Sequence, residues 1–282
     1  RMAKSSTQKA PLFDRIFKPE LITLENGHTV ERPKSRTPLI LAGLLIVIVI
    51  SLQATGFNMV TLFSRFSQFF VILGQIFKPN FSYFPKVWPS LLETVKMSIL
   101  GTIVGCIIGL PLAILGSSNI NRNKPTLLVI RFILSVLRSI PTLIYASVLA
   151  LVFGLGTFAG TLAIIIFTVG IVAKMLYESI ETIDMKPYEA MISFGASTMQ
   201  AFWTACMPQI LPTYIDDCMY CFELNVRASS ILGYVGAGGL GVLIRERTGL
   251  RAYNDLGIVL LSLFIVVLLI DLLNDFVRSK VS

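Results

Sequence analysis

The stretch YEAMISFGASTMQAFWTACMPQILP, residues 188–212, decides how the rest of this sequence is interpreted. It carries Glu189, Gly195 and Pro208, although the sequence on both sides of it is strongly apolar. This pattern predicts a short helix, a break at the glycine, a second helix and a proline at the return into apolar sequence. Residues 181–208 are called the elbow below.

The elbow has the composition of a docking segment. We expect Asp184 to cap its first helix and Ser197 to cap its second, because both side chains accept hydrogen bonds from helical amides. Phe202 and Trp203 are expected to offer aromatic surface to a partner. A short helix with one apolar side fits a groove on another protein. The alternative is an ordinary surface loop.

The overall composition indicates a multi-pass membrane protein. The 282 residues are 54% hydrophobic and 14% charged, and the mean hydropathy is +0.76, whereas soluble domains are about 25% charged. The net charge is +8, but many of the basic residues precede the first apolar run, within residues 1–36. Such a flank is typical of the cytosolic side, so the charge does not indicate nucleic-acid binding.

The apolar runs predict an all-α fold with about six transmembrane helices and both termini in the cytosol. Residues 1–36 are interpreted as a cytosolic tail and residues 37–58 as the first transmembrane helix. Residues 59–86 are expected to form an extracytoplasmic amphipathic segment, since Phe and Ile alternate there with Arg and Gln. Residues 87–276 form the helical core, which contains the elbow as a cytosolic loop.

Several kinds of chemistry are missing from the sequence. It contains no GxxxxGK[ST] segment for ATP, and His28 is the only histidine, so we predict no catalytic triad and no metal site. Residues 236–241, GAGGLG, match the G-x-G-x-x-G pattern of dinucleotide sites. Two predicted membrane spans flank this stretch instead of a strand and a helix, which favours a turn.

A stripe of small residues runs along the second predicted span. Gly101, Gly105 and Gly109 recur every four residues and therefore share one helix face. The missing side chains would let another helix come close to this one. Static packing and a crossing that slides during function both remain open.

The spacing within the elbow resembles the EAA loop of binding-protein-dependent ABC transporter permeases, whose pattern is E-A-A, three residues, G, nine residues and I-x-L-P. The matching residues here are Glu189, Ala190, Met191, Gly195, Met207 and Pro208. Three positions depart from that pattern: Met191 replaces Ala, Ala205 replaces Ile and Met207 replaces Leu. The spacing itself is intact.

Three further segments resemble the phosphonate-transport branch of that family: RSIPT at 138–142, GLGTFAG at 154–160 and ELNVRASSILGYVGAGGLG at 223–241. The resemblance covers about residues 87–276, which would be the permease core. It implies a type I importer permease in the bacterial plasma (inner) membrane. The implied cargo is a phosphonate or a related small oxyanion such as phosphite or phosphate.

The resemblance also implies partners. Two permease copies, expected to be a homodimer, would pair in the membrane, and two ATP-binding subunits would dock on the two elbows. An extracytoplasmic binding protein would deliver the substrate. ATP and Mg²⁺ would bind the ATPase subunits, so no cofactor is expected on this chain. Four elbow residues would then couple ATP hydrolysis to transport: Glu189, Ala190, Gly195 and Pro208.

Charged residues inside spans are candidates for the substrate path. Arg138 lies about 18 Å into the third predicted span at 1.5 Å per residue, and Arg227 and Asn225 lie in the outer part of the fifth. A guanidinium group pairs with an oxyanion through two parallel hydrogen bonds. The alternative is an internal ion pair, for example between Arg227 and Glu223.

Two other functions remain open for the sequence. A secondary transporter working alone would show paired inverted repeats with matching broken helices, whereas only one glycine-rich break is present. A membrane-embedded lipid enzyme would need a cluster of charged or metal-binding residues at one face of the bilayer. Either function would make the spacing of the elbow a coincidence.

Overall fold

The computed structural model describes residues 20–23, 29–32 and 37–281, and nearly all of these residues are helical. The all-α prediction is therefore confirmed. Internal contacts divide the chain into two units, residues 1–68 and residues 69–282.

The first unit contains a small hairpin and an apolar helix. Strand β1 (Glu20–Thr23) pairs antiparallel with β2 (Thr29–Arg32), with Glu20 opposite Arg32. Helix α1 (Thr37–Ala54) follows and coincides with the first predicted span. It buries none of its side chains, as expected of a helix whose surroundings are lipid.

Helix α2 (Met59–Ile76) crosses from the first unit into the second. It occupies most of the predicted amphipathic segment, and the next long helix already begins at Phe84. The length and hydropathy of α2 would also allow it to span a membrane. Its location at the outer surface therefore stays a prediction. In the part of the chain that the structure describes, five helices could span by this measure, or seven if each bent pair counts once.

The second unit forms the core. Its helices are α3 (Phe84–Gly116), α4 (Lys124–Ser139), α5 (Thr142–Phe153), α6 (Thr157–Thr182), α7 (Lys186–Ser193), α8 (Thr198–Ala201), α9 (Met207–Leu232), α10 (Leu240–Gly249) and α11 (Tyr253–Val281). The third predicted span is not one straight helix, because α4 and α5 meet at an angle of 88°. Pro141 lies at this break, where it cannot continue the helical hydrogen bonds.

The predicted close helix crossing is present between α3 and α6. A Cβ atom added at Gly101 would lie 2.4 Å from Cγ2 of Ile164, and one added at Gly105 would lie 2.6 Å from Cβ of Thr168. No real Cβ atom tolerates such distances, so only glycine allows the two helices to pack this closely. Whether the crossing slides during function stays a prediction.

The GAGGLG stretch bends the chain by 50° between α9 and α10. Gly236 and Gly238 both adopt positive φ, at 82° and 81°, which glycine does without steric cost. The Gly239 amide then donates to Glu93 of α3 at 3.3 Å, and the Leu240 amide donates to Thr94 Oγ1 at 2.8 Å. Side chains of α3 thus cap the first turn of α10, in agreement with the interpretation of this stretch as a turn.

Alanine substitutions at two glycines should have opposite effects on stability. Gly105→Ala places a methyl group against Thr168, and we expect it to destabilise the chain by about 1–3 kcal/mol. Gly74→Ala is the matched control, since no atom lies within 4 Å of its added Cβ. Helix propensity alone favours alanine there by about 1 kcal/mol. Thermal unfolding of the purified chain in detergent measures both, and equal stabilisation by the two substitutions would contradict the close crossing.

Candidate functional site

The first half of the elbow is a short helix with a defined start and end. Asp184 Oδ1 accepts a hydrogen bond from the Lys186 amide at 3.0 Å, although the residue in the N-cap position is Met185, one residue later than predicted. Gly195 has φ +88°, and the Ala196 amide donates back to the helix. The predicted break at the glycine is confirmed, since a left-handed residue commonly ends a helix.

The second half of the elbow runs without interruption into α9. Ser197 and Gln200 form a reciprocal capping box, with distances of 3.3 Å and 3.0 Å between amide and side chain. A π-helical turn (Phe202–Cys206) then joins α8 to α9. Pro208 lies in the first turn of α9, directly after the π-helical turn.

Two aromatic side chains anchor the elbow in the core. Tyr188 is 8% exposed and Phe202 is 1% exposed, and they pack in one cluster with Leu176 and Ile180 of α6. The expectation that Phe202 would face a partner is wrong, because its position on the helix turns it inward. Trp203 is half-exposed, as predicted. Burial raises the pKa of the Tyr188 hydroxyl, which therefore stays neutral.

The four predicted coupling residues all lie on the surface of the elbow: Glu189, Ala190, Gly195 and Pro208. Phe194, immediately before the glycine, is 90% exposed, and Met199 is 56% exposed. Within the described residues, the Glu189 side chain forms no ion pair or hydrogen bond. The elbow thus presents an unmatched carboxylate next to exposed apolar side chains, on a segment whose opposite side is fixed in the core.

An ion-pair network that the sequence did not reveal lies next to the elbow. Glu181 near the end of α6 pairs with Arg131 of α4 and accepts a hydrogen bond from the Ser118 amide at 2.7 Å. Arg131 also donates to the Gly116 carbonyl oxygen at 2.9 Å and lies 4.8 Å from the ring centre of Tyr177. The network joins the ends of α3 and α6 to the middle of α4 at the base of the elbow.

Asn225 holds three helices together. Its side-chain amide donates to Thr102 Oγ1 of α3 and to Thr168 Oγ1 of α6, both at 2.8 Å, and the residue is fully buried. Interhelical hydrogen bonds of this kind are a common means of association between apolar helices. The sequence predicted Asn225 on the substrate path, whereas in this structure its contacts are those of a packing residue.

Arg227 is paired within its own helix. Its guanidinium group contacts the carboxylate of Glu223, one turn earlier in α9. This is the internal ion pair that the sequence left open as an alternative. A contact between Arg227 and substrate stays a prediction, and it would have to compete with a charge partner already in place.

Arg138 lies in the last turn of α4 and lines an open groove between four helices. We call this the charged groove; its residues include Arg138, Lys174, Glu178, Asp216, Asp217, Tyr220 and Arg278, and its volume is about 500 Å³. Lys174 pairs with Glu178 at 3.1 Å, and Arg278 of α11 pairs with Asp216 of α9 at 3.0 Å. In this groove a predicted path residue, Arg138, faces open space among several charges.

Loss of the buried tyrosine should detach the elbow. Tyr188→Ala removes a core ring, and we expect it to cost about 3–5 kcal/mol, as for other large aromatic truncations. Tyr188→Phe keeps the ring and should unfold near the parent temperature. Phe194→Ala is an exposed control that should change little. Limited proteolysis within residues 181–208 and thermal unfolding of the isolated chain measure the effect, and a stable, protease-resistant Tyr188→Ala would contradict the anchor.

Comparison with known protein families gives one match that covers most of the chain. Residues 101–282 match the model of the family described as "binding-protein-dependent transport system inner membrane component". The matched region contains α6, the elbow, α9 and the charged groove.

Individual relatives agree with that family. The chain is 32% identical to the phosphite transport system permease protein PtxC of Stutzerimonas stutzeri, over 78% of this chain and 80% of PtxC. It is also 32% identical to the phosphate-import permease protein PhnE of Mycolicibacterium smegmatis, over 74% of this chain. That second match spans 40% of PhnE.

The fold is similar to that of a solved transporter. An inward-facing structure of the MetNI methionine ABC transporter superposes with a TM-score of 0.65 and 24% sequence identity. The match covers 72% of this chain and 99% of the solved one. At this level of identity the likeness concerns the fold.

Proposed function

The chain belongs to the binding-protein-dependent transport system inner membrane components, and from this premise we propose that its cargo is a small phosphorus oxyanion. It is the membrane permease subunit of an ABC importer, a transport subunit whose system places ATP hydrolysis in a separate ATPase. The relatives named for phosphite and phosphate support this class of cargo. Phosphonate, phosphite and phosphate share a tetrahedral phosphorus with anionic oxygens, which suits recognition by arginine.

The exposed elbow supports the docking of ATPase subunits on this chain. Glu189, Gly195 and Pro208 stand in the family's register on an exposed elbow that is anchored in the core. Two ATPase subunits would dock there, one on each copy of a permease homodimer, and would hold ATP and Mg²⁺. The extracytoplasmic binding protein would deliver cargo from the opposite side, with both termini of this chain in the cytosol.

The anchor gives the elbow a means to move the core. Tyr188 and Phe202 pack against α6, and α9 continues from the elbow as one helix. A displacement of the docked elbow is therefore passed to α6 and α9 together. Because the charged groove lies between these helices, closure of the ATPases would change the width and access of the groove, as alternating access requires.

Copurification tests the docking site. We expect a P-loop ATPase to copurify with the parent chain from its native membrane and to be lost with Glu189→Ala and Gly195→Asp. The first removes the unmatched carboxylate, and the second places a side chain at φ +88°. Ser193→Ala is the control at the end of α7, since its hydroxyl donates, among the described residues, only to the Glu189 carbonyl oxygen. If the elbow plays no part in docking, the ATPase will copurify with every variant. If no ATPase copurifies with the parent chain, the importer function itself is contradicted.

Uptake tests the cargo. The complete complex in proteoliposomes, with its binding protein, should accumulate phosphite, phosphate or methylphosphonate only when ATP is supplied. Glycine betaine, a zwitterion without an oxyanion of phosphorus, should not be accumulated. ATP-driven uptake of an unrelated solute with no uptake of the phosphorus anions would contradict the proposed cargo while leaving the importer function intact.

A further inference from the structure

Two charged groups in the charged groove are left without partners. Within the described residues, the Arg138 guanidinium group forms no hydrogen bond or ion pair, and neither does Oδ2 of Asp217. Asp217 is only 6% exposed, yet it lines the groove. The other two cations of the groove, Lys174 and Arg278, already have carboxylate partners. The groove thus holds one unmatched cation and one unmatched buried carboxylate.

Leaving these groups unmatched is costly. A buried carboxylate oxygen without a donor loses its hydration and gains nothing in return. Arg138 and Asp217 do not satisfy each other, since no ion pair joins them. An ionised carboxylate only accepts hydrogen bonds, and a guanidinium group only donates them. A ligand that satisfies both therefore carries an anionic acceptor for the guanidinium group and a hydrogen-bond donor for the carboxylate, and among small phosphorus oxyanions a P–OH group is that donor.

We propose that the charged groove binds a phosphorus oxyanion that still carries a P–OH group. Arg138 donates to the anionic oxygens, and the P–OH donates to the carboxylate of Asp217. The proposal rests on the proposed function and adds a specificity residue to it. Asp217 would reject sulfate, which has no proton to donate and would be repelled by the carboxylate. No covalent step is involved.

The position of the groove suits a site of release. Lys174 lies about 12 Å from the elbow end of α6, and Asp217 lies about 15 Å into α9 from Met207, at 1.5 Å per residue. These are the two helices that the elbow would displace. Movement between them would change the distance from Arg138 on α4 to Asp217 on α9, and a bound anion needs both groups within reach.

Equilibrium binding tests the site without the binding protein. The full chain in phosphatidylcholine nanodiscs is titrated at pH 7 with radiolabelled methylphosphonate, whose monoanion carries one P–OH, and with dimethylphosphinate, which has the same charge as that monoanion and no P–OH. We expect methylphosphonate to bind about tenfold or more tightly than dimethylphosphinate, the usual effect of a hydrogen bond to a charged group. Equal affinity for the two anions would overturn the role of Asp217.

Variants distinguish the site at Arg138 and Asp217 from other possible anion sites on the chain. Asp217→Asn should weaken methylphosphonate binding about tenfold and strengthen sulfate binding, because an amide can donate. A misfolded variant could not gain affinity for sulfate. Arg138→Gln should weaken every anion, and Lys186→Gln, on the elbow surface, should change none. If Arg227→Gln abolishes binding and Arg138→Gln does not, the site lies elsewhere and the proposal is overturned.

Two further measurements distinguish the remaining explanations. If Arg138 and Asp217 pair with each other in another conformation, the double variant Arg138→Gln/Asp217→Asn should restore parental transport, which would overturn the proposal. Phosphatidic acid also carries a P–OH, so a loss of methylphosphonate binding in nanodiscs doped with this lipid would assign the groove to a headgroup instead of cargo. If no ATPase copurifies with the parent chain but methylphosphonate binding is intact, the proposed function fails while the proposed site in the groove stands.

Discussion

The close crossing of α3 and α6 is the contact on which the rest of the core depends. Gly101 and Gly105 allow the two helices to approach, and this approach places Thr102 and Thr168 where a single amide reaches both. Asn225 then fixes α9 against the pair. Inside a membrane there is little hydrophobic drive between helices, so close packing and shared hydrogen bonds have to supply the specificity. The elbow connects two of the three helices held in this way, α6 and α9.

Local features of the elbow could be predicted from the sequence, because they depend on neighbours along the chain. The break at Gly195 and the cap at Ser197 are of this kind. The inward orientation of Phe202 depends on which side of the elbow meets α6. The pairing of Arg131 with Glu181 joins residues that lie 50 positions apart. Such features are set by packing between helices, which residue spacing alone does not encode.

The charges of the core differ in how readily the sequence reveals them. The pair of Lys174 with Glu178 and that of Arg227 with Glu223 lie one helical turn apart, so spacing alone suggests them. The bridge from Arg278 to Asp216 joins α11 to α9 and needs the structure. Within the charged groove, the pairs of Lys174 with Glu178 and of Arg278 with Asp216 leave Arg138 and Asp217, which the sequence could not have matched because they lie on different helices.

The cap that α3 provides for α10 has a consequence for biosynthesis. Glu93 and Thr94 leave the ribosome well before Gly239 and Leu240, so their side chains are already in the membrane when the amides that need them arrive. Helix α10 can therefore complete the hydrogen bonds of its first turn only on a preassembled surface. A chain interrupted after the elbow would retain an acceptor site with no occupant, and such an exposed polar site is a feature by which quality-control proteases could distinguish unfinished copies from finished ones.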